Sequence, residues 1–568
     1  MRLVAEPPVG EQGVVCFVSN GAYIDATSAD GLRKALAEEC SAIWCLNLRG
    51  GIRGRAGDQA KKEGGNPFDI MTPVAITLLV KDLRRDGPAE IHYHDIGDYL
   101  TREDKLAALT GFSDVARVSW QQVTPNSVGD WINQRGELYV TFPPLGDKTE
   151  RDADALFTTY SNGVKSNRDA WSYNFSRRAV LENMAATIGV YNAERARFGA
   201  AVRRGDARAN DEEVSGFVDP DPRRISWTVN LKADLRKDKP ASSDPTKAVA
   251  SLYRPFCKQW LYFDRQWNER GLRIPSLFPA PEHGNRVIAV SGVGAGTGYS
   301  VLMADVIPCL HLAGAGNAVQ CFPRYHYVTA NEEDSLFTGS GYGGGAASGS
   351  GSSDGSGYGT GYGYERHDAI SSCTLDRYRK RFGANVSADD VFHCVYGLLH
   401  SPEYRSRFAA ELGKMIPRLP MVDAFAEFVA DGQRLAELHV GYEQVEPWPV
   451  DGLPDKGASA RQLHVDQLRF TGRGRDGDRS TIVVNDVVAL SGIPEEAHRY
   501  QVNGRSALEW LIYRYRVKVD KDSGLVNDPN AWGDEHGDPR YIIDLIARIV
   551  RVSVETVEVV ESLPALGI

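Results

Sequence analysis

Hydrophobic positions near the start of the chain fall into short runs separated by a helical pattern. Gly13 to Ser19 (GVVCFVS) is β-rich, and Ser28 to Glu39 carries helical spacing after a serine cap. Ala42 to Leu48 and Pro73 to Val80 (PVAITLLV) read as a second and a third strand. Runs buried on both faces with a helix between them imply a parallel or mixed α/β sheet, so this end reads as part of a doubly wound domain. Such a sheet normally opens with a strand and a glycine-rich turn that cradles a cofactor, and neither precedes Gly13.

Residues 84–160 are mixed. Asn174 to Phe198 reads as a long amphipathic helix beginning near Ser176, and the charged segment 199–224 reads as a loop or linker. A second architecture starts at Ile225, with strand-like runs at Trp260 to Phe263 and Arg286 to Val290. Gly339 to Tyr364 is nearly all Gly, Ser and Tyr. It has too little apolar surface to offset its ordering entropy, which predicts a mobile loop. Ala388 to Leu399 is helical, Ser401-Pro402-Glu403 caps a further helix, and Ser480 to Asp486 returns to a strand. Helices are expected at Ala507 to Tyr515 and Tyr541 to Val550.

Composition narrows the class. A length of 568 residues predicts two to four domains, and 42% apolar with 25% charged residues is ordinary for a globular protein. No stretch approaches the ~18 uncharged apolar residues of a membrane helix. Glu, Pro and Gly interrupt the opening that a secretory signal would need, so a cytoplasmic location and no membrane partner are expected. The eight cysteines are scattered without zinc-ligand spacing, which predicts reduced thiols and no metal. A net charge of -10 leaves nucleic-acid contact to local basic patches.

Several strings invite a chemical reading. Ser291 to Gly298 (SGVGAGTG) follows an apolar strand, but Thr297 and Tyr299 stand where GxGxxG needs glycine, so a tight loop is expected. The one GxSxG string, Gly351 to Gly355, lies inside the Gly/Ser/Tyr tract and not on a strand-to-helix turn, so no nucleophile elbow is read and no catalytic residue is assigned. His92 and His94 of HYHD, with Asp95, are either a weak metal candidate or one face of an edge strand. Three strings set cations among aromatics and amides: Asn162 to Trp171, Tyr253 to Trp267 and Asn317 to Tyr327. They nominate Lys165, Asn167, Arg168, Arg254, Lys258, Arg265 and Arg324 as DNA contacts. A half-buried sheet with snorkelling cations would give the same pattern.

These strings, with GVVCFVSNGAYID, AIWCLNLRG, TPVAITLLVK, YGLLHSPEYRSRF and LAELHVGYE, resemble the C-terminal portion of Type ISP restriction-modification enzymes over nearly the whole chain. The resemblance implies a long polypeptide with nuclease, helicase-like ATPase, adenine-specific DNA methyltransferase and target-recognition parts. The implied fold is α/β: an incomplete Rossmann-like methyltransferase sheet followed by a mixed α/β target-recognition domain. Its expected divisions are 1–160 (methyltransferase-like), 161–224 (helical connector and linker) and 225–568 (target recognition, with an insertion at 339–364). By the same resemblance Asn20 and Phe68 belong near a pocket for a flipped base.

Amino-methyltransferases of this kind hold the flipped adenine with an (Asp/Asn)-Pro-Pro-(Tyr/Phe) tetrapeptide. The Pro-Pro pairs here are Glu6-Pro7-Pro8-Val9 and Phe142-Pro143-Pro144-Leu145, and the glycine-rich donor motif is absent. The chain alone is therefore expected to bind no cofactor and to methylate nothing. S-adenosylmethionine belongs to a complete enzyme. Double-stranded DNA is the expected partner, and a separate polypeptide with the N-terminal methyltransferase half is the alternative.

Overall fold

The computed structural model describes residues 12–53, 57–149, 152–293, 298–314, 316, 318–329, 363–472 and 477–568. Positions 339–362 of the Gly/Ser/Tyr tract and 294–297 of SGVGAGTG lie outside the described residues.

The first region is a mixed five-stranded sheet. It comprises β1 (Gln12–Asn20), β2 (Ala42–Arg49), β3 (Val74–Asp82), β4 (Glu90–Asp95) and β5 (Gln121–Val123), in the order β1-β3-β2-β4-β5. Strand β3 runs antiparallel to both β1 and β2, so those two share a direction and helix α1 (Asp30–Glu39) joins them. Strand β4 is parallel to β2, and β5 closes the far side antiparallel. The unbroken apolar run of β2 follows from burial on both faces, with Ile43, Cys45 and Leu48 all inside. By contrast β1 is an edge strand on which Val14 and Val18 are half exposed.

The expected serine cap is corrected. Ser28 lies in a 3-10 turn, and α1 starts at Asp30 with no side-chain cap. The turn is held instead by the buried Arg33 guanidinium, which donates to the carbonyls of Tyr23 and Ala26.

Helix α2 (Arg177–Arg204) begins as read, with the Ser176 hydroxyl accepting from the Ala179 N–H, and it stops at left-handed Gly205. The expected loop at 199–224 is corrected: α2 continues to Arg204 and a further helix covers Asp211–Phe217. Val214 and Val218 are buried with Ile225 and Leu231, so this charged segment has an apolar side that packs. Two four-stranded sheets follow. One sets β9 (Val301–Ala304), β8 (Val287–Ser291) and β10 (Val319–Pro323) beside Ser161–Asn162. The other sets Ile307–Pro308, β6 (Ala248–Arg254) and β7 (Cys257–Tyr262) beside Tyr173–Asn174. Residues 161–174 thus lend an edge strand to each sheet.

Helices α3 (Ala388–His400) and α4 (Phe425–Val440) pack against the first of these sheets and cross each other closely. A Cβ on Gly432 would stand 1.9 Å from the His393 carbonyl oxygen, so the crossing requires glycine there. Ser401 caps the next helix with Pro402 in its first turn, as the sequence indicates. The strand expected at 480–486 keeps ladder pairing at Ile482–Val483 alone, because the Asn485 side chain accepts from the Val487 and Val488 N–H groups and turns the chain. Helices α5 (Ala507–Arg514) and α6 (Tyr541–Ser562) enter the largest apolar core. Among the described residues no helix is long and apolar enough to cross a membrane.

Candidate nucleic-acid interface

The segment Arg505 to Val519 (RSALEWLIYRYRVKV) builds a cationic wall. Ser506 and Glu509 form a reciprocal cap at the start of α5, with Ser506 Oγ accepting from Glu509 N at 3.1 Å and Glu509 Oε2 from Ser506 N at 2.8 Å. The helix buries Ala507, Leu508, Trp510 and Leu511, and Trp510 donates to the Val502 carbonyl at 2.9 Å. Past Arg514 the chain alternates. Tyr515 turns inward and donates to the Phe256 carbonyl at 3.2 Å, while Tyr513, Val517 and Lys518 are exposed and Arg516 is half-buried.

Aromatic rings organise these cations. The guanidinium carbons of Arg505, Arg514 and Arg516 lie 4.5, 4.4 and 5.3 Å from the Tyr513 ring centre. Arg514 is also 5.6 Å from the Tyr253 ring, which Arg254 approaches at 3.9 Å. Among the described residues Arg505, Arg514 and Arg516 make no ion pair or side-chain hydrogen bond. Lys518 has no carboxylate within 4 Å, although Asp520 senses its charge. Burial, and after it the neighbouring Arg254 charge, pull Arg514 below the ordinary guanidinium range.

The wall borders a recess of about 290 Å³, lined by Asp169, Tyr253, Gln259 and Asn527 together with Arg514, Arg516, Lys518 and Asp520. Asp169 accepts from the Tyr253 hydroxyl at 3.0 Å and from Ser166.

The cations nominated from sequence meet a different fate. Arg168 is 4% exposed, donates to Thr228 Oγ1 at 2.9 Å and lies 5.2 Å from the Trp267 ring; burial lowers its pKa to about 10 against the pull of Glu269. Arg254 is 5% exposed and donates to the Tyr253 carbonyl and to Cys309 Sγ. Arg324, 7% exposed, is clamped between Asp368 and Asp389. Lys258 pairs with Glu443 at 2.8 Å. Lys258 and Arg324 are held on carboxylates, whereas Arg168 and Arg254 are buried with no carboxylate pair among the described residues. Lys165 is half-buried and shares a backbone bridge with Arg270, while Asn167, at φ 56°, and Arg265 are exposed. The structure brings Arg254 to the wall through Tyr253, and it leaves Lys258 and Arg324 on their own carboxylates.

The wall itself was missed in the sequence. Its signal was the run Tyr513-Arg514-Tyr515-Arg516-Val517-Lys518 across the end of a helix, which sets three cations beside two rings.

A second cavity, of about 690 Å³, opens at the ends of β1, β2 and β4. Several of its polar groups satisfy one another, while Trp131 Nε1 is buried without a hydrogen-bond partner among the described residues. Arg49 pairs with Asp95 and Asp98, the Tyr93 hydroxyl donates to Asp95 at 3.0 Å, and Asn47 donates to that hydroxyl at 3.0 Å. His92 stacks on Trp44 and His94 bonds the Ser119 carbonyl, both on a strand flanked on either side. Asn20 is exposed and caps the turn after β1 by accepting from Ala22 N at 2.9 Å. Phe68 is 54% exposed on a loop pinned by Asn66, whose side chain donates to Thr72 O and accepts from Phe68 N. From the second region Lys414 reaches across to Asp25 at 2.7 Å and Asp130 at 3.5 Å, and Glu411 accepts from Gly136 N at 2.6 Å. Burial would raise the Asp130 carboxyl, but hydrogen bonds from Arg135 and the Lys414 charge hold it at about 2.

The profile of the Type ISP C-terminal specificity domain matches residues 155–545. A nuclease-deletion mutant of the Type ISP restriction-modification enzyme LlaGI, solved with a DNA substrate mimic, is 34% identical with a TM-score of 0.82, over 98% of this chain and 47% of its own. The ATP-dependent Type ISP enzyme LlaBIII bound to DNA is 32% identical at 0.81, over 99% of this chain and 34% of its own. A DrdV–DNA complex is 29% identical at 0.78, over 98% and 51%. The chain thus spans between a third and a half of the length of these solved relatives. No curated protein matches it.

Proposed function

The chain belongs to the Type ISP restriction-modification family, and we propose that within it this polypeptide grips and reads duplex DNA. The observation that carries the reading is the wall of Arg505, Arg514, Arg516 and Lys518, whose charges no carboxylate within 4 Å neutralises among the described residues. Cations held on aromatic rings without a carboxylate partner are ready to replace counterions on phosphates. The relatives that were solved on DNA support the same assignment. Asn167, Arg265 and Lys165 stay in the proposal as flanking contacts.

Catalysis lies outside the proposed role. The sequence lacks the Pro-Pro tetrapeptide and the glycine-rich turn, and Arg49, Asp95, Tyr93 and Asn47 at the sheet-end cavity are engaged with one another. These residues do not fit S-adenosylmethionine, which is assigned instead to the N-terminal methyltransferase half of a complete enzyme. One observation favours a second reading alongside the first: β1 has β3 as its sole strand partner among the described residues and exposes Val14 and Val18. A polypeptide segment carrying the donor pocket would extend the sheet there, and the complete assembly would methylate adenine.

The test is duplex affinity as a function of salt. Binding that weakens linearly on a log–log plot supports the proposal, and affinity that ignores salt, or is absent, overturns it. Methyl transfer by the chain alone would refute the division of labour.

A further inference from the structure

We propose that the recess beside Tyr253 and Tyr513 accepts a single nucleotide unit, its base in the recess and its phosphate on Arg514, Arg516 and Lys518. The inference rests on the reading of this wall as the DNA-binding face and specifies what one part of it binds. Three observations carry it.

The first is charge. Arg254 and Arg514 share the Tyr253 ring, at 3.9 and 5.6 Å, and Arg516 and Lys518 border the same space. Asp169 stands against them with both oxygens already accepting, from Ser166 and Tyr253. The lining sets Arg514, Arg516 and Lys518 against Asp169 and Asp520, an excess of positive charge that a phosphate would offset.

The second is the interior. Gln259 is 3% exposed; its Oε1 accepts from Asn527 Nδ2 at a long 3.4 Å and its side chain also reaches Cys257, while Asn527 Oδ1 accepts from Phe175 N at 2.9 Å, so a base edge would compete with the long amide pair. Side-chain amides offer donors and acceptors together, which matches the edge of a base and is wasted on a bare phosphate. The third is size and surface. A recess of about 290 Å³ sits at the small end of ligand pockets, and its tyrosine and guanidinium planes are the surfaces on which bases stack. A base inside a duplex stack cannot enter it. The unit is either an unpaired nucleotide of a DNA strand or a free mononucleotide.

The experiment titrates the full chain by calorimetry with dAMP, deoxyadenosine and inorganic phosphate. Two duplexes are then compared, one fully paired and one with a single unpaired adenosine. The proposal expects dAMP to bind about tenfold or more tighter than either fragment. It further expects the unpaired-base duplex to outbind the paired one by about tenfold, with that ratio falling toward one in Gln259→Leu and in the surface variant Tyr513→Ala. Preference for the unpaired-base duplex assigns the site to DNA. Binding of dAMP without that preference assigns it to a free nucleotide; either supports the proposal. Phosphate competing as well as dAMP, or neither dAMP nor the unpaired base being favoured, overturns it. In that last case salt-dependent binding of the paired duplex would still leave the DNA-binding reading standing.

Discussion

Two regions of this molecule interleave cations with aromatic rings, and they reach opposite physical states. In Tyr253 to Trp267 and around Arg324 three cations are buried or half-buried and answered, Lys258 by Glu443, Arg324 by Asp368 and Asp389, Arg254 by a carbonyl and a thiol, while Arg265 stays exposed. In Arg505 to Lys518 the same residue types rest on Tyr513 and Trp510 with no carboxylate pair among the described residues. Leaving a buried cation without a partner in a low-dielectric interior is costly. A surface cation that stays unpaired is free for an external anion. The interleaving alone does not distinguish a structural clamp from a binding face; what each cation's charged end meets does.

The comparison can be broken in three ways. The largest effect is expected for Lys258→Met, which strands Glu443 beside the Tyr541 hydroxyl, its remaining hydrogen-bond partner. Stability should fall by about 3–5 kcal/mol in urea unfolding, with duplex affinity per folded molecule unchanged. A loss of affinity at full stability would move Lys258 to the binding face.

A smaller effect comes from acid. His439 is buried between the Tyr396 hydroxyl at 2.6 Å and Thr556 Oγ1 at 3.0 Å, with Tyr500, Phe256 and His400 around it. Burial first, then the Arg405 charge, lower its pKa to about 3. Its folded value lies below the ordinary ~6.5, so the unfolded chain takes up the proton first. The stability contribution is full above pH ~6.5 and is lost as pH falls toward 3, about 2 kcal/mol by pH ~5. Urea midpoints at pH 7 and 5 check this, and His439→Gln should flatten the difference. An unchanged midpoint would contradict the burial. The smallest effect is expected for the exposed Arg265→Ala, which should change stability by less than about 0.5 kcal/mol. A larger loss would mean that Arg265 supports the fold.

Much of the scaffold was legible before the structure. Ser176 and Ser401 announced helix starts through their caps, and the continuous apolar run of Ala42 to Leu48 announced a strand covered on both faces. The segment 199–224 misled because its charges conceal Val214 and Val218, whose burial depends on Leu231 and Ile225 folding back over them. The site was less legible for a related reason. Whether Lys258 is free depends on Glu443, 185 positions away, and whether Arg324 is free depends on Asp368 and Asp389 across a hairpin and a helix. Local pattern places a cation among rings, but only the fold decides whether a carboxylate arrives.

The most direct test is the salt dependence of duplex affinity for Arg516→Gln/Lys518→Gln beside the parent chain. The account predicts a slope of log affinity against log salt that is smaller by about 1.8, roughly 0.9 for each phosphate contact removed, with stability unchanged. An unaltered slope in a fully folded double variant would contradict it.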